Sequence, residues 1–70
     1  MSDRIQITVN GEPQTYDAGL SVEGLLSALS LPRERIAVEL NRRVVRRTEW
    51  ADRELADGDR VEVVHFVGGG

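Results

Sequence analysis

The chain has 70 residues, a formal net charge of −3 at pH 7 and 40% hydrophobic residues, which fits one small domain. It contains no cysteine and a single histidine, His65. A disulfide framework, a thiolate nucleophile and a Cys/His metal cluster are therefore excluded. The acidic charge gives no general attraction to nucleic acid, and no apolar run approaches the ~18 residues of a membrane span. Because the start of the chain has no signal-peptide pattern, the sequence predicts a soluble cytoplasmic protein.

The first segment predicts a β-hairpin. Ile5, Ile7 and Val9 alternate with polar residues, as in a half-buried strand. Asn10-Gly11 follows and is the strongest short signal for a two-residue hairpin turn, because both central residues of a type I′ turn need positive φ. The return strand is predicted from about Gln14 to Asp17.

A helix is predicted next, from about Val22 to Leu29, with Ser21 as its N-cap and Pro32 beyond its end. One apolar stripe at helical spacing runs along it and consists of Val22, Leu25, Leu26 and Leu29. Gly24 weakens this helix by roughly 1 kcal/mol relative to alanine. Tertiary packing of the stripe must therefore hold the helix in place.

The second half of the chain alternates short strands and turns. Residues 36–40 alternate as a third strand, and Val44-Val45 suggests a short fourth strand. The intervening Asn41-Arg42 turn has arginine where a type I′ turn prefers glycine, so the turn is either strained or of another type. Thr48 is predicted to cap a helical turn that contains Trp50. The side chain of Trp50 is expected to fill a space in the core or at its edge. A turn at residues 57–59 precedes the last strand, residues 61–66.

This element order predicts an α+β fold. Strands at both ends around one helix suggest a mixed sheet with its apolar face packed on the helix. The first and last strands could pair in parallel at the centre of the sheet, which is the β-grasp arrangement. We expect a β-grasp domain over residues 1–66 and a flexible C-terminal tail over residues 67–70.

Three glycines, Gly68, Gly69 and Gly70, end the sequence directly after the last strand. Without side chains they could thread a narrow slot and deliver a carboxylate, ionised at neutral pH, to another protein's active site. That carboxylate could attack the α-phosphate of ATP and form an acyl-adenylate. On the glycines alone, a frayed end or a linker is the more ordinary explanation.

Two apolar residues, Val64 and Phe66, lie at the root of the glycine tail. If Val61 and Val63 face the helix, these two point to the opposite face of the sheet. They are then either an exposed patch for docking a partner or an edge covered by the first hairpin. His65 lies between them without an acid or nucleophile partner, which favours an ordinary strand histidine over a chemical role.

An arginine cluster, Arg42, Arg43, Arg46 and Arg47, flanks the predicted fourth strand. A nucleic-acid patch, a solvated turn and a docking rim for an acidic partner are all consistent with it. The absence of interleaved aromatic residues disfavours nucleic acid.

Three segments together resemble the ThiS family, the sulfur carriers of thiamine thiazole synthesis. They are Ile5-Gln-Ile-Thr-Val-Asn-Gly-Glu12, Ser21-Val-Glu-Gly-Leu-Leu26, and the stretch from Ile36-Ala-Val-Glu-Leu-Asn41 through Trp50 to Asp57-Gly-Asp-Arg-Val-Glu-Val-Val-His-Phe-Val-Gly-Gly-Gly70. The resemblance covers essentially the whole chain. The family pattern often has glycine where this chain has Arg42.

The resemblance implies a protein substrate and not an enzyme. A ThiF-type activating enzyme adenylates the terminal glycine, here Gly70, with ATP that the partner uses, so no cofactor is bound by the carrier. Sulfur from a protein persulfide then replaces AMP and leaves a thiocarboxylate, from which thiazole synthase takes the sulfur. Gly69 and Gly68 are then expected to thread the partner's site, and no metal is expected.

Two other functions stay open at this point. The small subunit of molybdopterin synthase has a similar fold and also ends in Gly-Gly. A ubiquitin-like modifier or interaction module would use the fold without sulfur chemistry. Because all nine basic residues are arginine, polyubiquitin-like chain building on lysine side chains is not expected.

Overall fold

The computed structural model describes residues 3–66 and contains one mixed sheet packed on one helix. The strands are β1 (Arg4–Val9), β2 (Glu12–Asp17), β3 (Ile36–Leu40), β4 (Arg43–Val45) and β5 (Arg60–His65), and the helix is α1 (Val22–Ala28). The sheet order is β2-β1-β5-β3-β4. β1 and β5 pair in parallel, and the other neighbouring pairs are antiparallel. The predicted β-grasp fold is confirmed, with the last strand at the centre of the sheet.

Both hairpins use turns with two residues in the left-handed region. In the first, Asn10 and Gly11 have φ of 49° and 86°, and Val9 pairs with Glu12. In the second, Asn41 and Arg42 have φ of 52° and 70°. The second turn is therefore of the strained kind, since arginine occupies a conformation that favours glycine.

The helix is short, and both of its ends are capped. The Ser21 hydroxyl accepts a hydrogen bond from the backbone N–H of Gly24 at 3.0 Å, as predicted. At the other end Ser30 has φ of 56°, and the N–H of Leu31 donates to the carbonyl of Leu26 at 3.0 Å. This pattern is a Schellman motif, so the helix ends at Ala28 with Leu29 as its C-cap, before Pro32 is reached.

The core lies between α1 and the inner face of the sheet. The apolar stripe of α1 buries Val22, Leu25 and Leu26, whereas Leu29 is only partly buried against the core. The sheet contributes alternate residues, and the two remaining members come from the loops; these buried residues are Ile5, Ile7, Val9, Ile36, Val38, Leu40, Val45, Val61, Val63, Trp50 and Leu55. Within residues 3–66 no polar or charged residue is buried.

The segment after β4 differs in one detail from the sequence prediction. A 3₁₀ helix spans Arg47–Glu49, and its N-cap is Arg46, so the prediction that Thr48 caps this turn was wrong. The backbone N–H of Glu49 donates to the carbonyl of Arg46 at 2.8 Å. In return, the carboxylate of Glu49 accepts a hydrogen bond from the backbone N–H of Arg46 at 3.4 Å. Trp50 is buried, as predicted, and its indole Nε1 donates to the carbonyl of Val45 at 2.9 Å.

Candidate docking face and the glycine segment

β5 carries the chain from the centre of the sheet toward the glycines. It pairs with β3 along its length, from Val61 opposite Leu40 to His65 opposite Ile36. Its parallel pairing with β1 ends at Val61, so the later part of β5 extends past the end of β1. The N–H of Phe66 donates to the carbonyl of Arg35 at 2.7 Å, which ties the main chain to the sheet through this residue. The predicted tail and its functional residues Gly68, Gly69 and Gly70 lie outside the described residues.

The two turn asparagines fix the position of β5. Asn10 accepts a hydrogen bond on its side-chain oxygen from the N–H of Val63 at 2.8 Å, which continues the ladder beyond the end of β1. Asn41 accepts one from the N–H of Arg60 at 2.9 Å and donates through Nδ2 to Asp59 at 3.0 Å. Asn41 therefore bonds the start of β5 to the second hairpin turn, and Asn10 bonds its middle to the first.

The face of the sheet opposite α1, here called the outer face, carries exposed apolar side chains. Val64 is 48% exposed and Phe66 is 58% exposed. The alternative in which the first hairpin covers them is therefore wrong, and both residues are accessible at the root of the glycine segment. The sequence analysis missed a third residue, Val44, which is 68% exposed on β4. A signal for it was present, because two successive valines in a strand must point to opposite faces.

Two carboxylates lie among these apolar side chains. Glu39 on β3 is directly opposite Glu62 on β5, and Glu39 also pairs with Val44 on β4. The next pair on this face of the same two strands is Ala37 and Val64. The outer face therefore presents two neighbouring carboxylates bordered by valines on both sides. Glu39 is half-buried and Glu62 is exposed.

The arginine cluster follows the free edge of the sheet. Arg42 lies in the turn, Arg43 begins β4, and Arg46 and Arg47 follow it, all exposed. The guanidinium of Arg47 lies 5.1 Å from the ring centroid of Trp50, a cation–π contact. Of the four arginines only Arg43 lies within β4, and a charged side chain on a short edge strand opposes pairing with a second sheet edge.

The remaining features to consider are His65, a metal site and a membrane-spanning helix. His65 ends β5 and is exposed. Among residues 3–66 no group of three or more His, Cys, Asp or Glu side chains could hold a metal ion. In the same part of the chain, no helix is long and apolar enough to span a membrane.

Comparisons with known proteins place this arrangement in context. The model of the ThiS family matches residues 7–70. The sulfur carrier protein ThiS of Bacillus subtilis is 36% identical over 66 residues, with 91% of this chain and 98% of that protein covered. A crystal structure of the thiamine biosynthesis protein ThiS from Geobacter metallireducens superposes with a TM-score of 0.80 and 43% identity, covering 94% of this chain and 100% of that one.

A longer relative is also similar. The thiazole synthase of Magnetococcus marinus is 46% identical over 66 residues, which cover 94% of this chain. The chain spans 20% of the length of that protein. A domain of this kind therefore also occurs within a much larger polypeptide.

Proposed function

The chain belongs to the ThiS family, and on that premise we propose that it carries sulfur for thiamine thiazole synthesis on the carboxyl carbon of Gly70. The protein is a substrate of other enzymes and not itself an enzyme. The observation that carries the proposal is a family match that extends through both residues of the terminal glycine pair, Gly69 and Gly70. The position of β5 supports it, because the central strand of the sheet leads directly toward that pair.

The proposed chemistry takes place in the partners' active sites. A ThiF-type activating enzyme binds ATP, and the Gly70 carboxylate attacks the α-phosphate and releases pyrophosphate. The terminal sulfur of a protein persulfide then attacks the acyl carbon and displaces AMP, and a second thiol cleaves the resulting acyl disulfide to leave a thiocarboxylate. Activation is needed because a free carboxylate is a poor acceptor for a nucleophile, whereas a mixed anhydride is a good one.

Thiazole synthase is the proposed recipient of the sulfur. The similarity of this chain to part of a thiazole synthase supports that pairing, since fusion of two proteins is a natural outcome when they act on each other. Val64 and Phe66 provide the proposed docking surface for these partners beside the glycine segment. Because each partner must hold the same end in turn, we propose that they bind one at a time in the cytoplasm.

The experiment is an activation assay with purified ThiF-type enzyme, ATP, a persulfide donor and a thiol, read by intact-mass spectrometry. Gly69→Val should block the gain of sulfur, because a β-branched side chain would not pass a slot shaped for glycine. One residue added after Gly70 should also abolish the reaction, since misplacement by about 1 Å already costs roughly a hundredfold in rate. His65→Ala is the matched control and should react like the wild type. Full reaction of Gly69→Val and of the extended chain would contradict the proposed role of Gly70.

A further inference from the structure

We propose that the outer face of β3, β4 and β5 docks a partner-enzyme surface on which an arginine or lysine side chain projects from an apolar surround. The cation lies between the carboxylates of Glu39 and Glu62, and the apolar surround packs on Val44, Val64 and Phe66. This inference rests on the proposed function, which supplies the partner enzymes. It adds the chemical character that a partner's surface must have.

The apolar component is the first part of the argument. Val44, Val64 and Phe66 are the large hydrophobic side chains left exposed among residues 3–66. The strand pairing places Val44 and Val64 on the same face of the sheet, on either side of β3, and Phe66 follows two residues after Val64. In the same part of the chain every other strand valine, isoleucine or leucine is buried. Exposed apolar patches bordered by polar residues often mark interaction sites.

The carboxylates identify the charge of the partner. Glu39 and Glu62 are directly opposite on two antiparallel strands, where side chains of like charge destabilise the pair. The ion pairs within residues 3–66 are Arg4–Asp17 and Arg33–Glu23, so neither carboxylate is neutralised there. Arg60 is two residues before Glu62 on the same strand, yet no atom of its guanidinium lies within the 4.0 Å ion-pair distance of it. The isolated domain therefore retains a repulsion that a partner's cation would relieve.

Charge complementarity argues against nucleic acid and against a second copy of this chain as the occupant of the outer face. Nucleic acid would be repelled by the carboxylates. A second copy placed face to face by a two-fold axis would bring four carboxylates together, which raises the repulsion further. A basic side chain set among apolar residues satisfies both components of this face, because its aliphatic stem packs on valine while its charged head reaches the carboxylates.

The test exploits an expected opposition between stability and binding. Glu39→Gln, Glu62→Gln and the double variant keep the shape of the side chains and remove the repulsion, so each should raise the Tm of the free domain by about 1–8 °C. The same variants should bind the partner about tenfold or more weakly, with a smaller dependence of the Kd on salt. Glu12→Gln on β2, at the far edge of the sheet, is the matched control and should change neither quantity.

Binding is measured by titration calorimetry against purified ThiF-type enzyme and, separately, purified thiazole synthase. Weaker binding to either enzyme together with a raised Tm supports the inference. If the wild type binds and accepts sulfur while the double variant binds both enzymes equally well, the inference is overturned and the sulfur-carrier function stands. If the wild type binds neither enzyme and gains no sulfur, both fail. Loss of a wild-type dimer in the double variant, seen by sedimentation, would assign the face to a second copy and overturn the inference.

Discussion

Replacing Arg42 by glycine should stabilise the domain. Arg42 has φ of 70° in the second hairpin turn, where the first hairpin has Gly11 at φ of 86°. The left-handed conformation costs a residue with a Cβ about 1–2 kcal/mol. Glycine removes that cost but loses about 0.5–1 kcal/mol more backbone entropy on folding. The difference predicts a net gain of about 0.5–1 kcal/mol and a Tm raised by about 2–8 °C.

Two control variants separate backbone strain from the loss of the arginine side chain. Arg42→Ala removes the same charge but keeps a Cβ in the left-handed region, so its stability should stay near that of the wild type. Arg43→Gly makes the same substitution one residue later, inside β4, where it should lower stability because glycine weakens a strand. Thermal and urea denaturation followed by circular dichroism measure all three. A Tm for Arg42→Gly no higher than that for Arg42→Ala would refute the strain argument.

Four further substitutions test the packing of the domain by urea denaturation. Leu26→Ala should cost about 2–5 kcal/mol because Leu26 is fully buried, and Leu29→Ala, at a partly buried site, should cost clearly less; equal losses would contradict this core. Ser21→Ala removes the helix N-cap and should cost about 1 kcal/mol, so an unchanged midpoint would mean that the cap contributes nothing. Trp50→Phe leaves the carbonyl of Val45 without its indole donor and should cost about 1–3 kcal/mol; full retention of stability would show that water replaces the indole.

Local patterns in the sequence were sufficient to predict most of the fold. The Asn10-Gly11 turn, the Ser21 cap and the alternation in the strands depend on interactions between residues close in sequence, and all are found in the structure. The pairing of the first and last strands is a long-range feature. It could be predicted because one helix between strands at both ends of the chain leaves few ways to cover an apolar sheet face.

Other features had no reliable local signal. Leu55 is a buried core residue, but it stands alone in a loop with no period to indicate its direction. Thr48 looked like a helix cap, yet the cap is Arg46, two residues earlier, and the backbone N–H of Arg46 donates to the carboxylate of Glu49. The carboxylate pair of the outer face depends on the register between β3 and β5. A shift of one residue in that register would have separated the two glutamates.

The central claim is that Gly70 becomes a thiocarboxylate, and one measurement tests it most directly. The chain is incubated with a ThiF-type activating enzyme, ATP, a persulfide donor and a thiol, and the intact protein and its C-terminal peptide are then analysed by mass spectrometry. The account predicts a mass gain equal to the difference between one sulfur and one oxygen atom, confined to Gly70 and absent without ATP. A chain that never gains this mass with a competent enzyme, or that gains it at another residue, would contradict the account.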